Sequence, residues 1–209
     1  MNVVVVDYGM GNLASVSRAL EESGASVSIV SDPNAIGDAS HIVLPGVGAF
    51  RDAMSRLESA GWPERLSRAV QMEGIPLLGI CLGMQLLADS GEEDGVTDGL
   101  HLIPGRVMRL APASDERIPH VGWNNVVPVG DAELFRGIPV GADFYFVHSY
   151  HFVPTEAKSE LAHTDYCGGF ISAVNSASVY GVQFHPEKSS RHGLRLLRNF
   201  LAIRGGAKC

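Results

Sequence analysis

The stretch PLLGICLGMQ, residues 76–85, decides how the fold of this chain is interpreted. An apolar run typical of a buried strand passes directly into helix-forming residues. Cys81 stands at the joint, with Gly79 two residues before it and Gly83 two residues after it. This is the spacing of a nucleophile elbow, because side chains at the two flanking positions would collide in so tight a turn. The first turn of the helix would also present free N–H groups and a positive dipole end, which favour a thiolate. The pattern predicts a reactive Cys81; an inert, buried cysteine is the alternative.

Upstream of this elbow the sequence alternates between apolar runs and amphipathic helical stretches. The predicted strands are Asn2–Asp7, Ser26–Val30, His41–Leu44 and Ile75–Ile80. The predicted helices are one from Leu13 to the stop at Gly24 with Asn12 as its cap, Ala49–Ala60, Pro63–Glu73 and Leu82–Ala88. Because strands alternate with helices, this region predicts a parallel, doubly wound sheet with right-handed crossovers.

Downstream of the elbow the composition changes to β-branched and aromatic residues separated by Pro, Gly and Asn. The segments predicted as strands and hairpins, partly antiparallel, are Leu100–Leu110, Gly122–Val129, Ala142–Val153 and Phe170–Phe184. An amphipathic helix is predicted over Ser190–Ile203. We therefore expect a single α/β domain over residues 1–209, with a mostly parallel twisted sheet flanked by helices and additional antiparallel strands.

A cysteine nucleophile needs a base and usually a third group that orients the base. The tripeptide His185-Pro186-Glu187 follows the predicted strand Val179–Phe184. Residues two apart on an extended chain point to the same side, so one pocket can receive both side chains. Pro186 has no N–H and favours a strand end. The tripeptide alone is also compatible with a surface turn, but together with the elbow it predicts His185 as the base and Glu187 as its orienter.

The loop Pro45-Gly46-Val47-Gly48 lies between a short buried strand and a helix. Its two glycines allow the backbone to turn N–H groups inward. Together with the N–H of Leu82, just after the nucleophile, this loop could hold a tetrahedral oxyanion, to which one such donor commonly contributes about 3 kcal/mol. A plain turn between strand and helix is the alternative.

Composition excludes several classes of protein. With 45% hydrophobic and 19% charged residues, extended disorder is not expected. A net charge of −7 without a basic cluster argues against nucleic acid as a partner. The start of the chain lacks the features of a signal peptide, and no apolar run approaches the roughly 20 residues that span a bilayer. We therefore expect a soluble, cytoplasmic protein that does not contact a membrane.

The remaining cysteines and histidines do not indicate a metal centre or a cofactor. Cys167 and Cys209 lie outside any motif and are expected to be structural or incidental. His148 and His151 are predicted on opposite faces of one strand, where they cannot share a metal. No metal and no cofactor is predicted.

Three ordered motifs, residues 79–85 (GICLGMQ), 45–48 (PGVG) and 181–187 (GVQFHPE), together resemble the class I, triad-type glutamine amidotransferases. The likeness extends over essentially the whole chain. Four further stretches resemble the glutaminase subunits of imidazole glycerol phosphate synthases: residues 7–12 (DYGMGN), 119–124 (PHVGWN), 145–150 (YFVHSY) and 184–189 (FHPEKS). The resemblance implies a flavodoxin-like, three-layer fold.

The resemblance also implies roles for particular residues. Cys81 would attack the side-chain amide of L-glutamine, with His185 and Glu187 completing the triad and backbone N–H groups near Val47 and Leu82 holding the oxyanion. The residues implied in holding glutamine are Gly48, Gln85, Ser149 and Tyr150. The ammonia would pass through an internal channel to a cyclase partner with a (β/α)8 barrel, and the residues implied near that partner are Asn12, Trp123 and Tyr145.

Four other readings compete with this one. Gly9, Gly11 and Ala14 fit a dinucleotide-binding fingerprint, with Asp32 about twenty residues downstream. A stand-alone thiol hydrolase would share the elbow and the base. A non-catalytic interaction protein could retain the scaffold, although the intact triad argues against it. Amidotransferases for anthranilate, GMP or carbamoyl phosphate share the triad but lack the PHVGWN and YFVHSY pairing.

Overall fold

The strands of the protein form two sheets in the computed structural model, which describes residues 1–113 and 116–206. Cys209, which was predicted to be structural or incidental, lies outside the described residues. In chain order the strands are β1 (Asn2–Val6), β2 (Ser26–Val30), β3 (His41–Gly46), β4 (Leu77–Cys81), β5 (Ser90–Gly91), β6 (Thr97–Asp98), β7 (Gly105–Arg109), β8 (His120–Pro128), β9 (Ala142–His148), β10 (Tyr150–Pro154), β11 (Glu160–Thr164), β12 (Phe170–Ser176) and β13 (Val179–Val182).

The α-helices lie between and after these strands: α1 (Leu13–Glu22), α2 (Phe50–Ser59), α3 (Trp62–Gln71), α4 (Leu82–Gln85) and α5 (Ser190–Ala202). Short 3-10 turns cover Pro33–Ile36, Glu133–Phe135, Ala157–Ser159 and Pro186–Lys188. Pro63 stands in the first turn of α3, where its missing N–H costs no helical bond. Asn12 takes the N-cap position of α1 as predicted. Within the described residues, however, its side chain makes no capping bond, because its φ of −88° and ψ of 66° are not the extended geometry of a side-chain cap.

The larger sheet has nine strands in the order β2-β1-β3-β4-β13-β12-β11-β8-β9. From β2 to β13 every neighbouring pair is parallel, and from β13 to β9 every pair is antiparallel. We call these the parallel half and the antiparallel half. The smaller, four-stranded sheet has the order β10-β7-β5-β6. The predicted class, a parallel twisted sheet with added antiparallel strands, is confirmed.

The two faces of the large sheet bury separate apolar cores. On β1, Val4 and Val6 belong to one core and Val3 and Val5 to the other, because side chains alternate along a strand. α2 and α3 cover the first face, and α1 and α5 cover the second. Burying each such side chain contributes about 1.5–3 kcal/mol. Helices on both faces of one sheet give the three layers that the resemblance implies.

Downstream of the elbow, some of the predicted strands and hairpins are present and others have wrong boundaries. The segment Phe170–Phe184 is a hairpin, which agrees with the prediction; its strands are β12 and β13, and its tight turn places Ala177 at φ 51°. This turn lacks the glycine that marks many hairpins; the Asn175 side chain secures it by donating to the carbonyls of Ala177 and Val179 at 2.9 Å. Of Leu100–Leu110, only β7 is a strand. β11 was missed, and its register shifts at Ala162 explain its weak alternation.

The prediction that His148 and His151 lie on one strand is wrong, because the segment Ala142–Val153 forms two strands. β9 pairs with β8 in the large sheet, whereas β10 pairs with β7 in the small one, and Ser149 joins them. The carbonyl of Ser149 accepts from the N–H of Leu110 at 2.9 Å. His148 and His151 therefore lie on different strands rather than on opposite faces of one. Within residues 1–113 and 116–206, no group of three or more His, Cys, Asp or Glu side chains could hold a metal ion.

Candidate active site

Cys81 ends β4 in a strained backbone geometry, with φ 55° and ψ −111°. The two glycines that flank it are required by close backbone contacts. A Cβ on Gly79 would lie 2.5 Å from the carbonyl oxygen of Gly83, and a Cβ on Gly83 would lie 1.8 Å from that of Leu44. The elbow predicted from the sequence is therefore present, and it is tied to the neighbouring strand β3.

The helix after the elbow is shorter than predicted. α4 has four residues, Leu82–Gln85, instead of extending to Ala88. Leu86, Leu87 and Ala88 are each fully buried as the chain turns toward β5, so packing overrides their helical propensity. Few peptide dipoles are aligned in so short a helix, and individual hydrogen-bond donors consequently matter more to Cys81 than the helix dipole does.

Three polar groups surround the sulfur of Cys81. Its thiol donates to the carbonyl of Val147 at 3.7 Å, and Nε2 of Gln183 donates to the sulfur, also at 3.7 Å. His185 is the third group and hydrogen-bonds the same side chain. The antiparallel half thus supplies an acceptor, and the chain around the end of β13 supplies two donors.

His185 and Glu187 form a buried pair. Nδ1 of His185 lies 2.8 Å from Oε1 of Glu187, with side-chain exposures of 4% and 1%. Burial alone lowers the pKa of His185, but the hydrogen bonds to Cys81 and Glu187 and the charges of both outweigh it and raise that pKa to about 9. The imidazolium is therefore the main form at neutral pH. Since Nδ1 is engaged by Glu187, Nε2 is the nitrogen that faces Cys81.

The backbone fixes this pair where the two halves of the sheet meet. The N–H of His185 donates to the carbonyl of Tyr145 on β9 at 2.8 Å. The hydroxyl of Ser189 donates to the carbonyl of His185 at 2.6 Å. Pro186 starts a 3-10 turn, so the segment is a strand end, as its missing N–H predicted.

A cavity of about 290 Å³ opens beside Cys81 and His185. The structure brings all of the predicted oxyanion and substrate residues to its wall: Val47, Gly48, Leu82, Gln85, Ser149 and Tyr150. Sequence reasoning missed Glu93, Pro119 and Lys188, which also line it. Pro119 and Lys188 lie inside the motifs quoted above, but no sequence pattern indicated Glu93. The Glu93 carboxylate accepts from the N–H of Phe50 at 2.7 Å.

A chain of buried side chains supports the Tyr150 end of this cavity. The carbonyl of Tyr150 accepts from Nδ1 of His148 and from Nε2 of Gln85, each at 2.9 Å. Nε2 of His148 then accepts from Nδ1 of His120 at 2.9 Å, and Nε2 of His120 lies 3.3 Å from the Asn124 amide. Burial lowers the pKa of His148 to about 3 and that of His120 to about 4, so both rings are neutral donors and acceptors at pH 7.

The residues predicted near a partner do not share one environment. Trp123 on β8 is 53% exposed and lies edge-on to the ring of Tyr145 on β9, with ring centroids 6.0 Å apart. Val121 and Val147 are exposed on the same two strands, which gives an apolar surface there. Asn12 instead lines a small cavity next to Val47, His185 and Glu187.

Comparison with known proteins assigns the family. The family model described as "Glutamine amidotransferase class-I" matches residues 4–203. The imidazole glycerol phosphate synthase subunit HisH of Moorella thermoacetica is 50% identical over 95% of this chain and 93% of its own. That of Methanosarcina mazei is 50% identical over 96% of this chain and 98% of its own. The chain belongs to the HisH family of class I glutamine amidotransferases.

Solved structures agree with this HisH-family fold at low sequence identity. A chain of the PurLQS structure from Thermotoga maritima has a TM-score of 0.74 at 19% identity, covering 96% of this chain and 97% of its own. A glutamine amidotransferase from the same organism has a TM-score of 0.61 at 20% identity, covering 96% and 82%. The HisH assignment leaves the dinucleotide fingerprint without support, and Asp32 is used locally, accepting from the N–H of Asn34 at 2.9 Å.

None of the helices in the described parts of this HisH-family chain combines the length and the apolar character that crossing a bilayer requires.

Proposed function

We propose that this protein is the glutaminase subunit of an imidazole glycerol phosphate synthase and that Cys81, His185 and Glu187 are its catalytic triad. Family membership supports the amidotransferase class, and the names of the relatives, which call them subunits of that synthase, support the pathway of histidine biosynthesis. The observation that carries the mechanism is the buried pair of His185 and Glu187 beside a cysteine held at a strained elbow.

In the first half of the reaction the Cys81 thiolate attacks the side-chain amide carbon of L-glutamine. The carbon–nitrogen bond breaks, and Nε2–H of His185 gives its proton to the departing nitrogen, which leaves as ammonia. The product is a γ-glutamyl thioester. A His185 that is already protonated at neutral pH suits this step, because the acid is in place before the leaving group departs.

In the second half a water molecule attacks the thioester. His185, now neutral, takes a proton from that water, the carbon–sulfur bond breaks, and glutamate leaves. Glu187 holds the imidazole in one tautomer and stabilises its charged form through both halves. We assign the oxyanion to backbone N–H groups near Val47 and Leu82, which line the cavity.

The size of the cavity, about 290 Å³, suits a free amino acid better than a polypeptide. We assign Gly48, Gln85, Ser149 and Tyr150 to the binding of glutamine, since each lines this cavity. No cofactor and no metal enters the reaction as written.

The partner would be the cyclase subunit, which receives the ammonia through an internal channel. The cyclase would combine it with N′-phosphoribulosyl-formimino-AICAR-phosphate to make imidazole glycerol phosphate and AICAR. Channelling has a physical reason: in water, ammonia is protonated and loses its nucleophilicity. We assign the apolar surface with Trp123 and Tyr145 to that interface, and we also assign Asn12 to it. The chain would act as one cytoplasmic domain over residues 1–209.

The decisive experiment measures glutamate release with and without the cyclase and its nucleotide substrate. We expect little turnover of the chain alone and strong turnover in the complex. With Cys81→Ala, glutamine-dependent synthesis should vanish, while the complex should still work with added ammonium salt. Equal rates of glutamate release with and without the cyclase would instead favour a stand-alone thiol hydrolase.

A further inference from the structure

Gln183 is a polar side chain in an otherwise apolar segment next to the nucleophile. It follows β13 directly and is 0% exposed, between Val182 and Phe184, which are also buried. Its backbone N–H donates to the carbonyl of Ser172 at 2.9 Å. Burying a carboxamide without hydrogen-bond partners is costly, so both ends of the side chain need a contact.

The chemistry of its neighbours decides which end of the Gln183 amide faces the sulfur. The carbonyl of Tyr150 can only accept, so the group of Gln85 that lies 2.9 Å from it must be the –NH₂. The other hydrogen of that –NH₂ then points to Gln183 at 3.0 Å and needs an acceptor there, which is Oε1. Nε2 of Gln183 is left facing Cys81 at 3.7 Å. The orientation of the Gln183 amide thus follows from the Tyr150 carbonyl, which fixes the amide of Gln85 between them.

We propose that Gln183 is a further catalytic residue, whose Nε2–H donates to the Cys81 sulfur and stabilises the thiolate. This role deepens the proposed function and rests on it. As a thiol, Cys81 donates to the carbonyl of Val147 on the opposite side. After ionisation that carbonyl repels the sulfur, and the donors that remain are His185 and Gln183. Gln183 therefore favours the ionised form and fixes the sulfur in place, independently of the proton on His185.

Alkylation of Cys81 by iodoacetamide at a series of pH values tests this role, because only the thiolate displaces iodide. The sulfur lines the open cavity, so the reagent can reach it. Peptide mass spectrometry separates Cys81 from Cys167 and Cys209. The variants are Gln183→Met, which keeps the length of the side chain without a donor, and Gln183→Glu, which keeps an acceptor for Gln85. Gln71→Met, at the exposed end of α3, is the matched control.

We expect the midpoint of the alkylation rate to rise by about one pH unit in Gln183→Met, the roughly tenfold effect of one hydrogen bond to a charged group. It should rise further in Gln183→Glu, where a carboxylate oxygen faces the sulfur. Gln71→Met should match the parent protein. Equal midpoints in the parent and in either folded Gln183 variant would overturn the proposal.

A second measurement needs no variant of Gln183 to fold. In the parent protein labelled at glutamine nitrogen, the side-chain amide resonances of Gln183 should shift with the same pH midpoint as the alkylation, and they should lose this shift in Cys81→Ser. If the amide resonances of Gln183 do not shift with the pH midpoint of the alkylation, the proposed contact is contradicted. Neither measurement uses glutamine or the cyclase, so both can succeed even if the glutaminase assignment fails.

Discussion

The parallel and antiparallel halves of the large sheet bury their strands differently. Every residue of β4, Leu77–Cys81, is buried, whereas β9, Ala142–His148, alternates between buried and less buried positions. The parallel half carries Cys81, the proposed nucleophile, on a backbone that close contacts with β3 hold in place. The antiparallel half turns one face outward, with Trp123 and Val147 exposed, and its Val147 carbonyl accepts from the thiol of Cys81. The sulfur proposed as the nucleophile therefore lies where backbone packing is tightest, and the exposed apolar surface lies on the half that has a solvent-facing side.

The largest expected effect is the difference in turnover between two cysteine variants, one in each half of the sheet. Cys81→Ser should lower glutamine-dependent turnover in the complex by on the order of 10³-fold or more, because the hydroxyl is a far weaker nucleophile in this setting. Cys167→Ser, also a buried free thiol, should keep full turnover. Steady-state rates in the complex measure both, and comparable losses in the two variants would contradict a role specific to Cys81.

Replacing a glycine by alanine should destabilise the protein for a different reason in each half of the sheet. Gly83→Ala forces a Cβ against the carbonyl of Leu44 and should destabilise the fold by about 3 kcal/mol or more. Gly122→Ala in β8 meets nothing within 4 Å; only its φ of +139° is unfavourable, so about 1 kcal/mol is expected. Urea unfolding gives both free energies. If Gly122→Ala were the more damaging of the two, the parallel half would not be the more tightly constrained one.

The unfolding free energy of the protein should depend on pH because of His185, which lies where the two halves meet. The folded pKa of His185, about 9, lies above its ordinary value of 6.5. Protonated His185 therefore stabilises the fold, by on the order of 3 kcal/mol below pH 6.5. This contribution is lost as the pH rises through 9. The difference in unfolding free energy between the parent and His185→Gln should therefore shrink from pH 6 to pH 10. A difference that stays constant over this range would exclude a charged His185 in the fold.

The smallest effect should come from the buried histidine chain of the antiparallel half. His120→Leu removes the donor to His148 and loosens the Tyr150 carbonyl, so the KM for glutamine should rise about fivefold with little change in kcat. His120→Asn, whose amide can replace Nδ1–H, should recover most of the loss. Initial rates against glutamine concentration separate the two constants. A fall in kcat at constant KM would place the effect on chemistry rather than on binding.

The parallel half was predictable from the sequence because its signals are local. Apolar runs alternate with helical periodicity, and the elbow glycines report a steric requirement at Cys81 that the structure makes explicit. The resemblance to the amidotransferases gave the cavity residues in advance, including Gln85 and Tyr150.

The antiparallel half was less predictable because its strand ends depend on distant partners. Nothing near Ser149 indicates that the chain passes there from one sheet to another, since both flanking strands have the same alternating, aromatic composition. Gln183 was overlooked for a similar reason: one polar residue in an apolar run has meaning only once Gln85 and Cys81 are beside it. The pairing of His120 with His148 is likewise a product of strand register, which aligns the two residues.

At Ser149, which lines the cavity, the chain passes from the large sheet to the small one. An occupant that fills the cavity would contact Ser149 and Tyr150, and would restrain the first pairs of β10 with β7. Amide hydrogens of β7 and β10 should then exchange more slowly with solvent whenever the site is filled. The small sheet would report occupancy without taking part in any bond that is made or broken.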